Sequence, residues 1–362
     1  MNPLNVILLF GGRSAEHEVS VLSARSVAAA APKERILITP MCIARDGRFV
    51  TPERSARILE GEEKALAGDA DFSFELWSRD AAIDIILPLI HGTGGEDGAL
   101  QGYLEMLGLP YVGSGVSASA VGMDKVHMKQ AFAAAKLPMV DYVSLNEYEW
   151  KNERERVTRA IVNAIRLPYF VKPANGGSSV GVTKVKNDAD LPRAIEHALR
   201  FDEKVLIERG VDAREIEVAV LGNDKPEASV PGEIVSGGDF YDYADKYVHN
   251  KSQLVIPAKL TSDKSEEFRR LAITAFKAVG ASGFSRVDFF LERGTNRLYV
   301  NEINTIPGFT AISMYPKLWE ATEMKYPRLI ERLIQFGVEK SKTRAGRRES
   351  TMKWFDEVSS IS

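Results

Sequence analysis

Three short, almost unbroken apolar runs in the first quarter of the chain, at 5–10, 36–44 and 83–90, constrain its fold most. A strand that is apolar at successive positions must be covered on both faces, which requires a parallel sheet with helices on either side. Gly11-Gly12 turn the first run into a predicted helix over 14–30. Residues 51–80 are polar and read as carrying few structural constraints. Residues 109–112, followed by Gly113 and Gly115, read as a further short strand and turn, and the unit closes near Gly122.

The middle of the chain, 123–212, has another character. Asp124 stands where an N-cap belongs, before a helix that reaches Ala135 and is stopped by Leu137-Pro138. Apolar residues recur at helical spacing from Val157 to Ile165 and again from Leu191 to Leu199. Strands are predicted over 169–172, 182–185 and 204–208, around a Gly/Ser-rich loop at 175–180. This is a small α+β unit. The last unit, 213–340, opens with an alternating strand over 215–221. A polar and aromatic stretch follows at 232–252, then a helix from Phe268 to Val279 and a hairpin of 285–292 with 297–304. Residues 341–362 turn basic and then polar, and read as a solvated extension or frayed helix rather than a binding arm.

Composition narrows the function. A net charge of -3 gives no electrostatic case for a nucleic-acid partner. The single cysteine, Cys42, excludes an internal disulfide framework and fits a reducing compartment. No apolar run approaches the ~18 residues of a membrane span, and the apolar start lacks the basic flank of a signal peptide. The expectation is a cytoplasmic protein without a membrane partner.

The hairpin is the sharpest chemical feature. Side chains alternate along a strand, so Arg286 and Asp288 share a face, as do Glu302 and Asn304 on the facing strand. Such hard oxygen donors beside a guanidinium suit Mg²⁺ held together with a phosphate. The alternative is a solvated face of cross-strand ion pairs. The run 172–181, KPANGGSSVG, delivers a lysine from a strand into small residues whose N–H groups can approach an anion; an ordinary flexible turn is the alternative. Lys125, Lys172 and Lys246 stand beside such elements and could offset phosphate charge. Glu208 and Glu215, read alone, are exposed acids. Glu16 follows a strand at a helix start, where ligands of α/β folds bind, or else caps the helix. His91 opens a second loop at a strand end, HGTGGEDG.

Taken together and in this order, the segments GGRSAEHEVS (11–20), HGTGGEDG (91–98), MDK (123–125), VKPANGGSSVGV (171–182), FYDYADKY (240–247), SRVDFF (285–290) and NEINTIPGFTAISMYP (301–316) resemble the D-alanine–D-alanine ligases of the ATP-grasp superfamily. The resemblance spans the chain to about Lys340. It implies an ATP-grasp fold, α/β and α+β, with an N-terminal Rossmann-like parallel-sheet domain (1–122) for substrate. A central domain (123–212), a C-terminal catalytic domain (213–340) with a lid at 232–252, and an extension (341–362) follow. ATP would lie between the last two domains. Lys125 and Lys172 would stand on its phosphates, the backbone just after Glu208, near Val211, at the adenine edge and Glu215 at the ribose, with Ser178, Ser179, Lys246, Asn301 and Glu302 also among the ATP-binding residues. Asp288, Glu302 and Asn304 would hold two Mg²⁺ or Mn²⁺ ions.

The resemblance also implies that one D-alanine is phosphorylated on its carboxylate and then attacked by the amine of a second. Glu16 would bind the first ammonium, with His91 nearby. Lys246 and Ser313 would bind the second carboxylate, with Met314 where a leucine is common in the family. Arg286 and the Gly308 N–H would form an oxyanion hole, and Glu16, Ser178 and Tyr247 a hydrogen-bonded trio pinning the lid. The tyrosine matches the dipeptide-forming branch. A homodimer, joined through the N-terminal domain, is the family expectation. The alternatives are a related ligase with another second substrate, such as D-lactate, and a non-catalytic nucleotide-binding module.

Overall fold

The computed structural model describes residues 2–235, 253–310 and 312–359; Lys246, Tyr247 and most of the expected lid lie outside them. The first unit holds a parallel sheet of β1 (Leu4–Gly11), β2 (Ile36–Ile43) and β3 (Ile85–Pro88), in the order β2-β1-β3. Their apolar side chains enter two separate cores, one on each face: Val6, Leu8 and Phe10 on one side, Ile7 and Leu9 on the other. That two-sided burial is why the strands carry no polar alternation.

Residues 51–80 are more ordered than their polarity implied. They contain the helices Pro52–Glu60 and Phe74–Asp80, started by Pro52 in the first turn and by Ser73, whose side chain caps the Leu76 N–H. Phe74 stacks on Phe49 at 4.5 Å between ring centres, which pins the segment to the body.

The central unit is an antiparallel sheet of β4 (Tyr142–Asn146), β5 (Tyr169–Pro173), β6 (Thr183–Val185) and β7 (Lys204–Arg209), ordered β4-β7-β5-β6. The helices Arg154–Ala164 and Leu191–Ala198 cover one face of it through Ile161, Leu191 and Ile195. The last unit is a six-stranded antiparallel sheet. Its path is β11 (Gln253–Val255), β10 (Gly232–Val235), β8 (Ala213–Gly222), β12 (Gly283–Glu292) and β13 (Leu298–Asn304), with β9 (Glu227–Ala228) pairing β8.

β8 does not alternate as expected: Ile216 through Gly222 are all buried. Ile216, Val218 and Val220 pack under the helix Ser262–Ala278, against Phe268 and Phe276. Ala219 and Leu221 face the opposite core, with Phe284, Tyr315 and Trp319. A strand covered on both sides gains nothing from polar residues on either.

The helix Tyr326–Ser359 closes the molecule. Leu329, Ile330, Leu333 and Ile334 enter the same core as Val6 and Leu8, so the first strand and the first turns of the last helix share one hydrophobic cluster. At roughly 1.5–3 kcal/mol for each buried large aliphatic side chain, this contact is a strong clamp between the N-terminal and C-terminal sheets. Gly337 permits it, because a Cβ there would lie 2.5 Å from Ile85.

Candidate active site

The β12–β13 register sets Arg286 opposite Asn304 and Asp288 opposite Glu302, which brings the expected constellation onto one face. β8 adds a member: Glu217 lies opposite Asp288 on its other side. Three carboxylate residues therefore form a row across three adjacent strands. Arg286 binds both oxygens of Asp288, at 2.6 and 2.7 Å, and reaches Glu217 at 3.0 Å. Burial opposes its charge, but the neighbouring carboxylates hold the guanidinium firmly protonated. Asn304 donates to Asp288 at 3.0 Å. These residues line a cleft, so the reading of a solvated outer face is set aside.

Among the described residues no three or more His, Cys, Asp or Glu side chains form a ready metal cage. Two carboxylates and a carboxamide nonetheless fit a divalent ion that takes few protein ligands and fills its shell with substrate oxygens and water.

The central unit supplies the cations. Lys172 sits on β5 and Lys125 opens the helix Lys125–Ala134, whose first N–H groups are capped by Asp124 at 2.9 and 3.1 Å. The Lys125 backbone N–H donates to Ala174, and its ammonium donates to the Gly176 carbonyl at 2.7 Å. The helix start thus holds the glycine loop in place. Ser178 and Ser179 both take left-handed φ, 51° and 59°, an uncommon run for non-glycine residues.

Burial lowers the Lys125 pKa. Burial also opposes the charge on Lys172, but Glu208 more than offsets it and the pKa is raised. Glu208 is not an exposed acid: it is 2 % exposed and pairs with Lys172 and with Lys129, the latter at 2.6 Å.

The N-terminal unit contributes the third wall. Glu16 does not cap the helix His17–Ala30 with its side chain. It accepts a short hydrogen bond from Ser178 instead, linking the first unit to the glycine loop. A Cβ on Gly92, whose φ is +74°, would stand 2.5 Å from the Glu16 carboxylate, so only glycine leaves it this position.

His91 has both ring nitrogens engaged: Nδ1 with the Ile306 carbonyl (2.9 Å) and Nε2 with Ser23 Oγ (2.8 Å). Only an Nδ1–H can serve the carbonyl, so Ser23 donates to Nε2, and burial keeps the ring neutral. Ser23 Oγ in turn accepts from the Phe309 N–H at 3.1 Å.

Glu96 grips the same loop. It accepts from Ile306 N–H (2.7 Å) and Gly92 N–H (3.0 Å), with its pKa pushed up to about 8 by burial and by the Glu16 charge. Three ties from the first unit, through His91, Glu96 and Ser23, therefore fix the loop that presents Gly308. A Cβ on Gly308 would lie 2.8 Å from Ser313 Oγ, which itself accepts from the Thr310 N–H.

All these walls enclose a cleft of about 580 Å³. Glu16, His91, Lys125, Lys172, Ser178, Ser179, Glu215, Arg286, Asp288, Asn301, Glu302, Asn304, Gly308, Ser313 and Met314 all line it. Glu208 stands behind it, and Val211 is not among its lining residues. Sequence reasoning missed Glu96, Glu217, Ser23 and Lys129. Glu96 lay within the HGTGGEDG loop, two residues before its last glycine. Glu217 was legible from the period of two beside Glu215. Lys129 carried no signal, being a single polar residue on an apolar helix face, and Ser23 none that set it apart from His17 and Ser20 buried on the same helix.

Known proteins resemble this chain along most of its length. Residues 5–114 match the family model described as the D-ala D-ala ligase N-terminus, and residues 131–335 the D-ala D-ala ligase C-terminus. A D-alanine--D-alanine ligase of Halothermothrix orenii is 47% identical over 94% of this chain and 99% of its own. One of Chloroherpeton thalassium is 45% identical over 94% and 98%. The solved D-alanine-D-alanine ligase from Coxiella burnetii superposes with a TM-score of 0.80 at 34% identity, covering 96% of this chain and 99% of that one. The VanG D-Ala:D-Ser ligase from Enterococcus faecalis gives 0.80 at 31%, covering 93% and 100%.

Proposed function

The chain belongs to the D-alanine–D-alanine ligase family, and we infer that the residues of its cleft carry the ATP-dependent joining of two D-alanines into D-alanyl-D-alanine, a peptidoglycan precursor. The observation that supports this best is the meeting of three sets of groups in one cleft: the Arg286–Asp288–Glu302–Asn304 face, Lys125 and Lys172, and the Glu16–Ser178 contact.

A carboxylate is a poor electrophile, so it must first be activated. The carboxylate of the first D-alanine attacks the γ-phosphorus of ATP, forming an acyl phosphate and releasing ADP. Lys125 and Lys172 face the phosphate oxygens and offset their charge. Ser179 and Asn301 line the same region, with Glu208 and the Val211 backbone on the adenine side and Glu215 at the ribose. Two divalent ions, Mg²⁺ or Mn²⁺, held by Asp288, Glu302 and Asn304, would supply charge neutralisation at the transferring phosphoryl group.

The amine of the second D-alanine then attacks the acyl carbon, and phosphate leaves. The oxyanion formed there meets the Arg286 guanidinium and the Gly308 N–H, donors already fixed in place by Asp288 and by the His91 and Glu96 ties. Glu16 receives the first ammonium. Ser313 and Lys246 receive the second carboxylate, beside Met314. With both ring nitrogens engaged, His91 acts on the first substrate through the loop it holds. Tyr247 joins Glu16 and Ser178 to close the lid over the acyl phosphate and keep water out. This reading takes the enzyme to be a cytoplasmic homodimer with three domains, at 1–122, 123–212 and 213–340.

The test is ADP release by the purified protein with ATP and Mg²⁺, with and without D-alanine, and product mass in mixtures with D-serine or D-lactate. D-alanine-dependent ADP release with D-alanyl-D-alanine as the main product is expected. ATP binding without D-alanine-dependent turnover, or a mixed dipeptide or depsipeptide as the main product, would overturn it.

A further inference from the structure

On β8, residues 215, 217, 219 and 221 share one face. Ala219 and Leu221 enter a core beside Phe284, while Glu215 and Glu217 reach the cleft. Glu217 stands between the fully buried Ile216 and Val218, and its own side chain is only 8 % exposed. Apolar residues of similar volume in place of a buried ion pair are often as stable or more so, so stability alone does not explain a carboxylate here.

Its partner does. The strand register sets Arg286 opposite Ala219, which makes Glu217 its diagonal neighbour on the same face, within reach of a long side chain. The single methyl of Ala219 leaves room for that reach. Arg286 Nε stands 2.6 Å from Asp288 and 3.0 Å from Glu217. Asp288 carries several duties: it takes two Arg286 contacts and the Asn304 amide, and it is also a proposed ligand of the divalent ions. Glu217 has no place in that ligand set, and β12 lies between it and Glu302. Burial opposes the guanidinium charge, which Asp288 and then Glu217 sustain.

We propose that Glu217 is a positioning residue of the ligation: it holds the Arg286 guanidinium over the acyl carbon whichever oxygens of Asp288 the divalent ions take. This rests on Arg286 being an oxyanion donor, as proposed above. Glu217 then serves the second step, in which the amine forms the C–N bond, the C–O bond to phosphate breaks, and the surplus protons of the ammonium pass to phosphate and solvent. With the guanidinium astray, the acyl phosphate still forms but outlives the slowed attack. It escapes and is hydrolysed in solution, where water forms the new C–O bond, phosphate leaves, and D-alanine returns with its ATP already spent.

The test compares the full chain with E217Q and E217M at saturating Mg²⁺. It measures D-alanyl-D-alanine formed per ADP released, calorimetric binding of a phosphinate analogue of the dipeptide, and melting temperature. Dipeptide formation by E217M should fall about a hundredfold, with less dipeptide than ADP, while KM for ATP holds. E217Q, which keeps an oxygen facing Nε, should lie between E217M and wild type. The phosphinate, whose tetrahedral centre mimics the oxyanion, should bind E217M about tenfold more weakly. Melting should stay within about 4 °C of wild type, because Asp288 still compensates Arg286. Equal dipeptide and ADP in E217M, full recovery on adding more Mg²⁺, or unchanged phosphinate binding each overturns the proposal. A wild-type chain that releases no ADP with D-alanine overturns the ligase reading itself, and the control without substitution shows that separately.

Discussion

Replacing Glu208 with glutamine removes the one carboxylate shared by Lys129 and Lys172 at the back of the cleft. The lysines differ in their setting: Lys129 is 1 % exposed and far from solvent, whereas Lys172 lines the cleft. Burial pushes the Glu208 pKa up, but the two ammonium groups pull it from an ordinary 4.5 down to about 2. A folded-state value below the unfolded one contributes stability that is present above pH 4.5 and is lost as pH falls through about 2; the shift amounts to about 3 kcal/mol.

Leaving two buried cations uncompensated costs a similar amount, about 3–5 kcal/mol. E208Q should therefore lower the first thermal transition at pH 7 by roughly 6–20 °C, and it should flatten the acid limb of stability below pH 4.5. It also removes what raises the Lys172 pKa, so KM for ATP should rise, and more steeply at alkaline pH. The control is K129M, which keeps the Glu208–Lys172 pair and swaps a buried cation for an apolar side chain of similar length; its thermal loss should be under half that of E208Q. The reasoning fails if differential scanning fluorimetry finds E208Q within 2 °C of wild type by about the 2–4 °C expected per kcal/mol, or K129M as damaging as E208Q.

Three further substitutions probe other walls of the cleft. E302Q weakens the divalent-ion site, so ADP release with D-alanine should fall more than about a hundredfold at limiting Mg²⁺ and recover in part at high Mg²⁺; near-normal turnover at low Mg²⁺ contradicts the assignment. G92A places a Cβ against the Glu16 carboxylate at a left-handed φ, and kcat/KM for D-alanine should drop about tenfold or more while ATP binding, followed by calorimetry, holds. S23A strips a partner from the Phe309 N–H and from His91. It should cost about 2 kcal/mol of stability and lower kcat while KM for ATP stays unchanged, and S23T should recover part of both; unchanged kcat would remove Ser23 from the positioning of the Gly308 loop.

How much of this was legible in the sequence depends on how far each contact reaches along the chain. The β12–β13 constellation was legible because two facing strands fifteen or so residues apart obey a period of two, and the pleat then fixes which side chains meet. The Asp124 cap and the Lys125 helix start were legible for the same local reason.

β8 was misread because alternation is a property of the environment: two helical layers bury both of its faces, and no local residue announces the second layer. The 51–80 helices were missed because their anchors, Phe74 and Ile58, are sparse in a polar segment. Glu16 and Ser178 lie 162 residues apart, and His91 and Ile306 lie 215 apart. No periodicity connects such pairs; only the packing of the first unit against the last brings them together. Most of the charged groups proposed to act in the cleft, Lys172, Arg286, Asp288 and Glu302, thus sit on strands, where spacing reveals them. The groups that aim the loops sit between units, and their chemistry becomes visible only once the shared core of Val6, Leu8, Leu329 and Leu333 has set the units against each other. The loop carrying Gly308 is positioned by hydrogen bonds from His91, Glu96 and Ser23 of the first unit, so any slack in that core would pass directly to the proposed oxyanion hole.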